Sequence, residues 1–363
     1  MLTQIHIDRT GLEGQGVGFD SDKNIYFVEG ALPGDTVVVE SESTKRYRDA
    51  RLVQVVIPSP DRITPCCPHF QVCGGCDWLH WNYASQLKAK QESLNHILMR
   101  ANVKPERCLA VLASPKQLEY RNRVQLRQEG HQIGFLKRGS HEIVDVSACR
   151  LAHPAINQRI AELREKGSTV RKKIEISLNE SGQVEQFEDS PHGVGGFRQV
   201  NVEQNEVLKT LVHNFVKQIQ SKIVLELYCG DGNLTSAYAT TVSEVVGIDV
   251  SAAALERART RNLIGTSFVR AEITGAALQK LPTGIRGRYD TLILDPPRAG
   301  VGAELLSFIH PQLKSIIYVS CSPLTFSQDV KALGDRGFVF RTVQPLDMFP
   351  NTRHIELVSL FSR

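Results

Sequence analysis

Four cysteines are crowded into one short stretch of the chain, CCPHFQVCGGCDW, which runs from Cys66 to Trp78. Disulfide frameworks are typical of small secreted proteins, whereas this chain has 363 residues and no recognisable export signal. A bound metal or cluster is therefore the first hypothesis. Because Cys66 and Cys67 are adjacent, they are not expected to bind one centre together. The run then offers three ligands, spaced C-x5-C-x2-C: Cys67, Cys73 and Cys76.

A fourth ligand has to come from another part of the chain. Cys108 and Cys149 are the two unassigned cysteines that we expect to lie outside the C-terminal α/β sheet. Four thiolates could hold either a tetrahedral zinc ion or a [4Fe–4S] cluster, and the spacing alone does not distinguish the two.

A second group of residues has the pattern of an adenosine-binding site. The segment VLELYCGDGN is a hydrophobic strand followed by two glycines, Gly230 and Gly232, which allow the backbone to approach a ligand. Asp249 ends the next predicted strand, where its carboxylate can accept hydrogen bonds from ribose hydroxyls. A nicotinamide dinucleotide site would usually have a third glycine where this chain has Thr235. S-adenosylmethionine, which has no phosphate, fits the pattern better.

Three further residues could perform covalent chemistry on a pyrimidine. Asp295 in LDPPRAG and Cys321 in YVSCSP follow predicted strands, and Glu356 lies in the C-terminal FPNTRHIELVSLF. C5 of uracil is a poor nucleophile toward a methyl sulfonium. A thiolate added at C6 makes C5 enolate-like, and a base must then remove the C5 proton so that the thiolate can leave. We assign Cys321 as the nucleophile and Glu356 as the base.

The C-terminal part of the chain supplies the elements that position these residues. From about Val194 onward, continuous apolar strands alternate with helical segments, which predicts a parallel, doubly wound, Rossmann-like α/β sheet. Ligands of such sheets bind beyond the carboxyl ends of the strands. Each motif of the two preceding paragraphs is expected at such an end.

The rest of the chain has the sequence patterns of two other folds. Residues 1–57 consist of short β-rich runs between turn residues, which predicts a small, OB-like all-β barrel. A proline-rich linker, PSPDRITPCCP, precedes the cysteine run, and NYASQLKAKQESLNHILMRANV predicts an amphipathic helix. From Glu119 to about Phe187 the pattern is strand-like, interrupted by the helical HPAINQRIAELREK, which predicts a central α+β domain.

The composition is that of an ordinary globular protein, and eight cysteines without an export signal lead us to expect a cytoplasmic one. Hydrophobic residues make up 41% and charged residues 23%, and no uncharged apolar run has the length of a membrane span. The net charge of +4 does not by itself indicate a nucleic-acid partner. A local basic cluster could contact RNA or could be solvated barrel surface: Lys45, Arg46, Arg48 and Arg51.

Five motifs together resemble those of the uracil-C5 methyltransferases of ribosomal and transfer RNA: FRQVN (Phe197–Asn201), LELYCGDGN, LDPPRAG, YVSCSP and FPNTRHIE. The resemblance covers nearly the whole chain. It implies that Cys321 and Glu356 are the nucleophile and the base, and that the barrel is a TRAM domain, an RNA-binding module. The target uridine would have to leave any base stack to reach Cys321. Further positions match methyl-donor-contacting or active-site residues of the family: Gln199, Tyr228, Asn233, Asp249, Glu272 and Asp295.

The resemblance also implies the identity of the metal centre. The ribosomal-RNA branch of the family carries an iron–sulfur cluster with this C-x5-C-x2-C run and a distant cysteine in a DV…C segment, here EIVDVSACRL. The implied ligands of a [4Fe–4S] cluster are Cys67, Cys73, Cys76 and Cys149. Cys66 and Cys108 are then not ligands of the cluster. Because the transfer-RNA branch generally lacks the cluster and the TRAM domain, we expect the substrate to be 23S ribosomal RNA.

The expected organisation is therefore a monomer with three domains. The TRAM barrel spans residues 1–57, the cluster-bearing central domain spans 58–78 and 111–193, and the methyltransferase domain spans 79–110 and 194–363. Near the cluster, Trp78, His80 and Trp81 could stack on splayed bases or pack in a core.

Three other functions remain open from the sequence. One is a uracil-C5 methyltransferase of transfer RNA. Another is a cytosine-C5 RNA methyltransferase, which would place a second cysteine where this chain has Arg298. The last is an RNA-binding protein without catalysis, although such a protein would need neither Cys321 nor Glu356.

Overall fold

The computed structural model describes residues 2–43, 45–189, 198–278 and 287–363. The backbone forms two compact units, each assembled from separate stretches of the chain. The first comprises Met1–Ser93, Lys116–Pro191 and Phe349–Arg353, and the second comprises Leu94–Pro115, His192–Met348 and His354–Arg363. Within the described ranges, no helix is both long enough and apolar enough to cross a membrane.

The first unit begins with a closed five-stranded barrel. Its strands are β1 (Leu2–Thr10), β2 (Gly16–Phe19), β3 (Ile25–Val28), β4 (Thr36–Glu40) and β5 (Tyr47–Ile57), in the order β1-β2-β3-β5-β4. Alternating residues point inward, as the period of a strand requires, and Ile5, Ile7, Val37 and Val39 are buried in the barrel core. The predicted N-terminal small barrel is confirmed.

The proline-rich segment after the barrel is attached to it rather than extended. Asp35, which is fully buried, accepts hydrogen bonds from the backbone N–H groups of Leu32 (2.7 Å) and Ser59 (2.8 Å). The guanidinium of Arg62 forms an ion pair with the same carboxylate and also donates to the carbonyl of Gly30 at 2.9 Å. These contacts hold the segment that leads into the cysteine run.

A long helix, α1 (Tyr83–Arg100), follows the cysteine run at the place that the sequence predicts. The boundary between the two units falls inside it, between Ser93 and Leu94. Its C-terminal half contributes Leu94 and Leu98 to the core of the second unit. Its N-terminal half buries Gln86 and Lys90 in the first unit.

The first unit also contains an antiparallel sheet with one covering helix. The strands are β7 (Arg123–Gly130), β8 (Gln132–Leu136), β9 (Ile143–Asp145), β10 (Ser168–Leu178) and β11 (Val184–Glu188), in the order β11-β10-β7-β8-β9. The predicted helix is α2 (Pro154–Lys166), which begins with Pro154 and ends before Gly167, as helix start and stop signals require. Its buried face, formed by Ile156, Ile160 and Leu163, packs on one side of this sheet.

The second unit is built on an eight-stranded sheet. Its strands are β6 (Arg107–Cys108), β12 (Ile223–Leu227), β13 (Glu244–Asp249), β14 (Thr266–Arg270), β15 (Thr291–Leu294), β16 (Ser315–Ser320), β17 (Val339–Leu346) and β18 (Glu356–Ser362). The order is β14-β13-β12-β15-β16-β18-β17-β6, in which β12 to β16 are mutually parallel and β18 is antiparallel to both of its neighbours. The helices are α3 (Val202–Gln218), α4 (Thr235–Tyr238), α5 (Ala252–Thr260), α6 (Gly275–Leu278) and α7 (Pro323–Gly334), with short 3-10 helices at Ala239–Thr241 and Gly302–Phe308.

The central strands of this sheet are apolar on both faces, as a doubly wound sheet requires. Leu225, Leu292 and Ile316 on neighbouring strands are all buried in one continuous core. The predicted Rossmann-like fold is confirmed. One prediction is wrong: Cys108, expected outside this sheet, lies in β6 at its edge, where it is paired with Val343 of β17.

Candidate functional site

The strand order brings the three residues assigned to covalent chemistry to one edge of the sheet. Asp295 directly follows β15, and Cys321 directly follows β16, which is parallel to β15. β18 runs in the opposite direction, with Ser320 of β16 opposite Leu357, so its first residue, Glu356, lies at the same edge. The sequence predicts this grouping, and the topology explains it.

The two carboxyl groups at this edge are strongly desolvated. Burial, followed by repulsion from Asp295, raises the pKa of Glu356 well above its usual range, and only 2% of the residue is exposed. Burial, with a smaller contribution from Glu226, raises the pKa of Asp295 to about 7. A carboxyl group with a raised pKa can exchange a proton near neutral pH, which is the property that a general base requires.

The thiol of Cys321 is also affected by its surroundings. Burial, and then the nearby carboxyl groups of Glu356 and Asp295, raise its pKa to about 11, while Arg298 acts in the opposite direction. Nη2 of Arg298 lies 3.4 Å from the ring nitrogens of His354. The resting group is therefore a thiol, and Arg298 is the neighbouring charge that favours the thiolate.

The loop that carries Arg298 is held by a residue that the sequence analysis does not identify. Asp329 of α7 is buried, and its carboxylate accepts hydrogen bonds from the backbone N–H groups of Val301 (3.0 Å) and Gly302 (2.9 Å). The hydroxyl of Tyr318 in β16 donates to it at 2.6 Å. This acid lies on a helix far from the loop in sequence, so no local pattern reveals its role.

The glycine loop after β12 has the backbone conformation that the sequence predicts. Tyr228, Gly230 and Gly232 all have positive φ values of 62°, 55° and 77°. This conformation is easy for glycine and costs about 1–3 kcal/mol for another residue, so the surrounding contacts must hold Tyr228 in place.

Asp249 holds this loop against the end of β13. Its Oδ2 accepts a hydrogen bond from the backbone N–H of Gly230 at 2.9 Å, and its Oδ1 accepts one from Ser251 at 2.8 Å. Each oxygen keeps a second lone pair for a hydroxyl donor. The structure therefore brings Gly230 and Asp249 together at one edge of the sheet.

Thr235, which occupies the place of a third glycine, has a structural task. Its hydroxyl donates to the buried carboxylate of Glu226 at 2.7 Å, and the hydroxyl of Tyr238 binds the same oxygen. Burial raises the pKa of Glu226 to about 7 despite these two donors. The buried network fixes the start of α4 directly behind the glycine loop.

The other predicted donor-binding residues differ from one another in burial and in their hydrogen-bond partners. Gln199 is buried, and Asn233 exchanges two amide hydrogen bonds of 2.9 Å with Asn205 of α3. Glu272 follows β14 at the same sheet edge and is exposed to solvent. Phe197, the first residue of the FRQVN motif, lies outside the described residues.

In the first unit, the four predicted ligands line a single cavity. The thiols of Cys67, Cys73, Cys76 and Cys149 face it together with apolar side chains, among them Phe70, Leu79, Phe135 and Leu151. Cys66 is exposed and is not part of the lining, and Cys108 lies in the other unit.

Backbone contacts fix the two halves of this cysteine set. Cys73 forms a β-bridge with Lys137, which immediately follows β8. The side chain of Asn157 in α2 accepts a hydrogen bond from the N–H of Cys149 at 2.8 Å and donates to its carbonyl at 3.0 Å. The antiparallel sheet and its helix therefore position both the C-x5-C-x2-C run and the distant cysteine.

Burial raises the pKa of Cys73, Cys76 and Cys149, and the proximity of the thiols to one another contributes to the same shift. The described residues contain no group of three or more histidine, cysteine or acidic side chains arranged to hold a metal ion. The geometry does not by itself confirm the predicted cluster.

The aromatic residues after the cysteine run are part of a core. Trp78, His80 and Trp81 are only 2–4% exposed, and the indole N–H of Trp78 donates to the carbonyl of Gly14 at 2.8 Å. Trp78 and Trp81 pack edge to face, 5.2 Å apart. The hypothesis that these residues stack on RNA bases is wrong, because their faces are already covered.

A parallel sheet with a glycine loop after β12 and a carboxylate at the end of β13 is the arrangement of a Rossmann-like fold that binds an adenosine-containing ligand. The model of the tRNA (Uracil-5-)-methyltransferase family matches residues 171–363. The chain belongs to this family of S-adenosylmethionine-dependent RNA (uracil-C5) methyltransferases.

Two relatives are similar to this chain over nearly its whole length. The 23S rRNA (uracil(1939)-C(5))-methyltransferase RlmD of Nitrosospira multiformis is 30% identical, with 100% of this chain and 99% of the relative covered. The protein of the same name from Alkalilimnicola ehrlichii is 31% identical, with 98% and 95% covered.

A solved structure is also similar along the full length. It is the Pyrococcus abyssi tRNA (uracil-54, C5)-methyltransferase in complex with S-adenosyl-L-homocysteine, with a TM-score of 0.76 and 25% identity. The match covers 98% of this chain and 99% of that one, so it includes the N-terminal barrel. The barrel therefore does not separate ribosomal-RNA from transfer-RNA enzymes, and this part of the argument from the sequence is wrong.

Proposed function

We propose that this protein transfers a methyl group from S-adenosylmethionine to C5 of a uridine in 23S ribosomal RNA through a covalent adduct between Cys321 and C6 of the base. One observation carries the proposal: a thiol and two desolvated carboxyl groups, those of Cys321, Glu356 and Asp295, lie at one edge of the sheet. A binding protein without catalysis would gain nothing from burying these groups together.

The chemistry assigned to the chain's own residues has two stages. After the thiol proton of Cys321 has passed to water, the thiolate sulfur forms a bond to C6, and the electron pair of the C5–C6 π bond moves toward C5 and O4. S-adenosylmethionine, when bound, supplies the methyl group that C5 takes up. Glu356 then accepts the C5 proton, the C5–C6 double bond returns, and the sulfur leaves with its electron pair.

The loops after β12 and β13 support the proposed donor site. Gly230 and Asp249 are joined by a hydrogen bond, and the second lone pairs of Asp249 suit ribose hydroxyls. We assign donor contacts also to Gln199, Tyr228, Asn233 and Glu272, and a shared position to Asp295.

The identity of the relatives supports ribosomal RNA as the substrate. The relatives from Nitrosospira and Alkalilimnicola are similar to this chain over nearly their whole length and are named for 23S rRNA. Transfer RNA is the second candidate, because the Pyrococcus enzyme that matches 98% of this chain is named for tRNA. A cytosine-C5 enzyme is disfavoured, because Arg298 occupies the position of its second cysteine.

We further propose that the four cysteines around the cavity hold a [4Fe–4S] cluster. A donor set of four thiols in apolar surroundings supports this assignment, since such clusters are bound by four cysteine thiolates. Cys67, Cys73, Cys76 and Cys149 would hold the cluster, which would supply a structural link between the segments that carry them. In this proposal the protein works as a cytoplasmic monomer with a TRAM barrel, a cluster-bearing central domain and a methyltransferase domain.

The experiment that tests the substrate is mass mapping of 5-methyluridine in 23S ribosomal RNA and in transfer RNA. RNA from cells lacking this protein should lose the modification at a position in 23S ribosomal RNA. Wild-type protein should restore it, whereas Cys321→Ala should not. Loss confined to transfer RNA would select the second candidate, and unchanged 5-methyluridine in both would reject the proposal.

A further inference from the structure

The loop between β17 and β18 leads directly into Glu356. Its middle, Phe349–Arg353, belongs to the first unit, whereas Met348 and His354 on either side of it belong to the second. The chain therefore leaves the contacts of the first unit only three residues before the proposed base. Anything that holds Phe349–Arg353 restrains the backbone from which Glu356 extends.

Asn351 is the centre of this segment, and its polar groups are bound on every side. Its N–H donates to Oε1 of Gln86 at 2.9 Å, while Nε2 of Gln86 donates to its Oδ1 at 3.1 Å. Its carbonyl accepts the backbone N–H groups of Asp77 (3.1 Å) and Trp78 (3.0 Å), and its Nδ2 donates to the carbonyl of Gln117 at 2.8 Å. Asn351 is 7% exposed and has a φ of 64°.

Two further buried side chains hold the residues before Asn351. Nζ of Lys90 donates to the carbonyl of Phe349 at 3.2 Å, and the hydroxyl of Tyr120 donates to the carbonyl of Pro350 at 3.1 Å. Lys90 is 1% exposed and Tyr120 is 2% exposed. Burying an ammonium group is costly unless it is paired or hydrogen-bonded, so the position of Lys90 indicates a specific requirement.

Gln86 connects this segment to the end of the cysteine run. Besides Asn351, its Nε2 donates to the carbonyls of Trp78 (3.1 Å) and Trp81 (2.9 Å). Gln86 is 1% exposed, so these bonds are shielded from water. A hairpin needs no such network to close, because β17 and β18 are already paired from Val339–Ser362 to Leu346–Glu356.

We infer that Gln86 and Lys90 are positioning residues for the proposed base: they fix Phe349–Arg353 so that Glu356 is held at the edge where Cys321 lies. The inference rests on the proposed function of Glu356. Gln86 binds Asn351 and Lys90 binds the carbonyl of Phe349, so each acts through the backbone that leads from its partner to Glu356.

The first test measures positioning without any chemistry. Hydrogen–deuterium exchange of peptides covering residues 347–358 is compared among Gln86→Met, Lys90→Met and wild type. Lys88→Met is the matched control on the same helix, because the Lys88 side chain is 76% exposed and has one long contact, 3.9 Å from Glu92. Exchange in this region should be at least about tenfold faster in the first two variants and unchanged in the control.

The second test asks which step of the reaction is slowed. In single-turnover reactions, Gln86→Met should accumulate the methylated covalent RNA adduct expected for Glu356→Gln, because proton removal is delayed. Its KM for S-adenosylmethionine should stay at the wild-type value. A merely structural role would reduce the folded fraction, leaving the remaining enzyme with wild-type kinetics and no accumulated adduct.

The two measurements separate this inference from the proposed function. If Glu356→Gln accumulates no methylated adduct, the role of Glu356 as the base fails, and the exchange measurement still decides whether Gln86 fixes the loop. Unchanged exchange at residues 347–358 in Gln86→Met overturns the inference, as does wild-type turnover per folded molecule in that variant.

Discussion

At the scale of single residues, the proposed reaction depends on the protons held by Cys321 and Glu356. The Cys321 thiol has a pKa of about 11, and Glu356 is one of the groups that raise it. Both residues must lose a proton before they act, the thiol before addition and the carboxyl before elimination. Addition of the thiolate to C6 and removal of the C5 proton can therefore be tested separately, by changing one of the two residues at a time.

Glu356→Gln should separate the two steps. Because the raised pKa of Glu356 leaves the carboxyl uncharged in the resting site, its replacement by a neutral amide should leave adduct formation in place, whereas loss of the base should stop elimination. We therefore expect a covalent, already methylated RNA adduct, seen as a protein–RNA species by denaturing electrophoresis and mass spectrometry. Wild type should not accumulate it, and free unmethylated RNA as the sole species would place Glu356 before methyl transfer.

The pH dependence of adduct formation follows from the raised pKa of the thiol. With a pKa of about 11, the thiolate fraction of Cys321 rises about tenfold per pH unit between pH 7 and pH 9. Asp295, with a pKa of about 7, gains its charge at the lower end of this window and makes the rise less steep there. The rate should be measured in single turnovers with 5-fluorouridine RNA, with Cys321→Ala as the inactive control. A rate that is already constant from pH 7 upward would mean that the thiolate preexists.

At the scale of elements, the site depends on loops at the carboxyl ends of parallel strands. The glycine loop after β12 alternates left-handed residues, and Asp249 binds its central N–H. This hydrogen bond joins the loop after β12 to the end of β13, so the positions of Gly230 and Asp249 depend on each other.

Gly230→Ala tests the backbone conformation of this loop. A Cβ at position 230 would meet no atom within 4 Å, so its cost comes from the left-handed φ of 55° and should be about 1–2 kcal/mol of unfolding free energy. Affinity for S-adenosylmethionine should fall as well. The control is Gly334→Ala in α7, which also has open space but no positive φ, and which should be neutral or stabilising by about 0.4–1 kcal/mol. Chemical denaturation measures the unfolding free energy of both variants. Equal changes in the two would contradict the cost assigned to the left-handed conformation at Gly230.

Much of this arrangement could be predicted from the sequence because parallel strands bring their ends to one edge. Asp295, Cys321 and Asp249 each follow an apolar run, and that pattern is sufficient to group them. Glu356 reaches the same edge because β18 runs antiparallel to its neighbours. This direction is set by the topology of the sheet and not by a local sequence pattern. Asp329, by contrast, acts on a loop far away in sequence, and nothing local marks it.

Other features could not be read from the sequence because burial is a tertiary property. Trp78, His80 and Trp81 form an aromatic pattern that suits either stacking or a core, and only the packing of the first unit decides between them. Cys108 was expected outside the sheet because its strand, Arg107–Cys108, is two residues long and has no periodicity to recognise.

At the scale of the whole molecule, the cysteine cavity joins parts of the first unit that are distant in sequence. The C-x5-C-x2-C run lies before α1, whereas Cys149 lies after β9 and is held by α2. A centre bound by all four cysteines would crosslink these segments. None of the four belongs to the proposed reaction, so its role in the account is structural.

Iron analysis of anaerobically purified protein tests this assignment. We expect a brown protein with about four irons per chain, as a [4Fe–4S] cluster requires. Cys149→Ser should lose the iron, whereas Cys66→Ser and Cys108→Ser should keep it, since neither lines the cavity. Stoichiometric zinc without iron would contradict the cluster while leaving the crosslink intact.

The proposed reaction requires above all a covalent bond between Cys321 and the uracil ring. The most direct measurement is the intact mass of the protein after reaction with S-adenosylmethionine and RNA carrying 5-fluorouridine at the target position. Fluorine at C5 cannot leave as a proton does, so the account predicts a stable, methylated protein–RNA adduct that peptide mapping places on Cys321. Cys321→Ala should form no adduct while still binding the RNA. Methyl transfer at the wild-type rate by Cys321→Ala, or an adduct on another residue, would contradict the account.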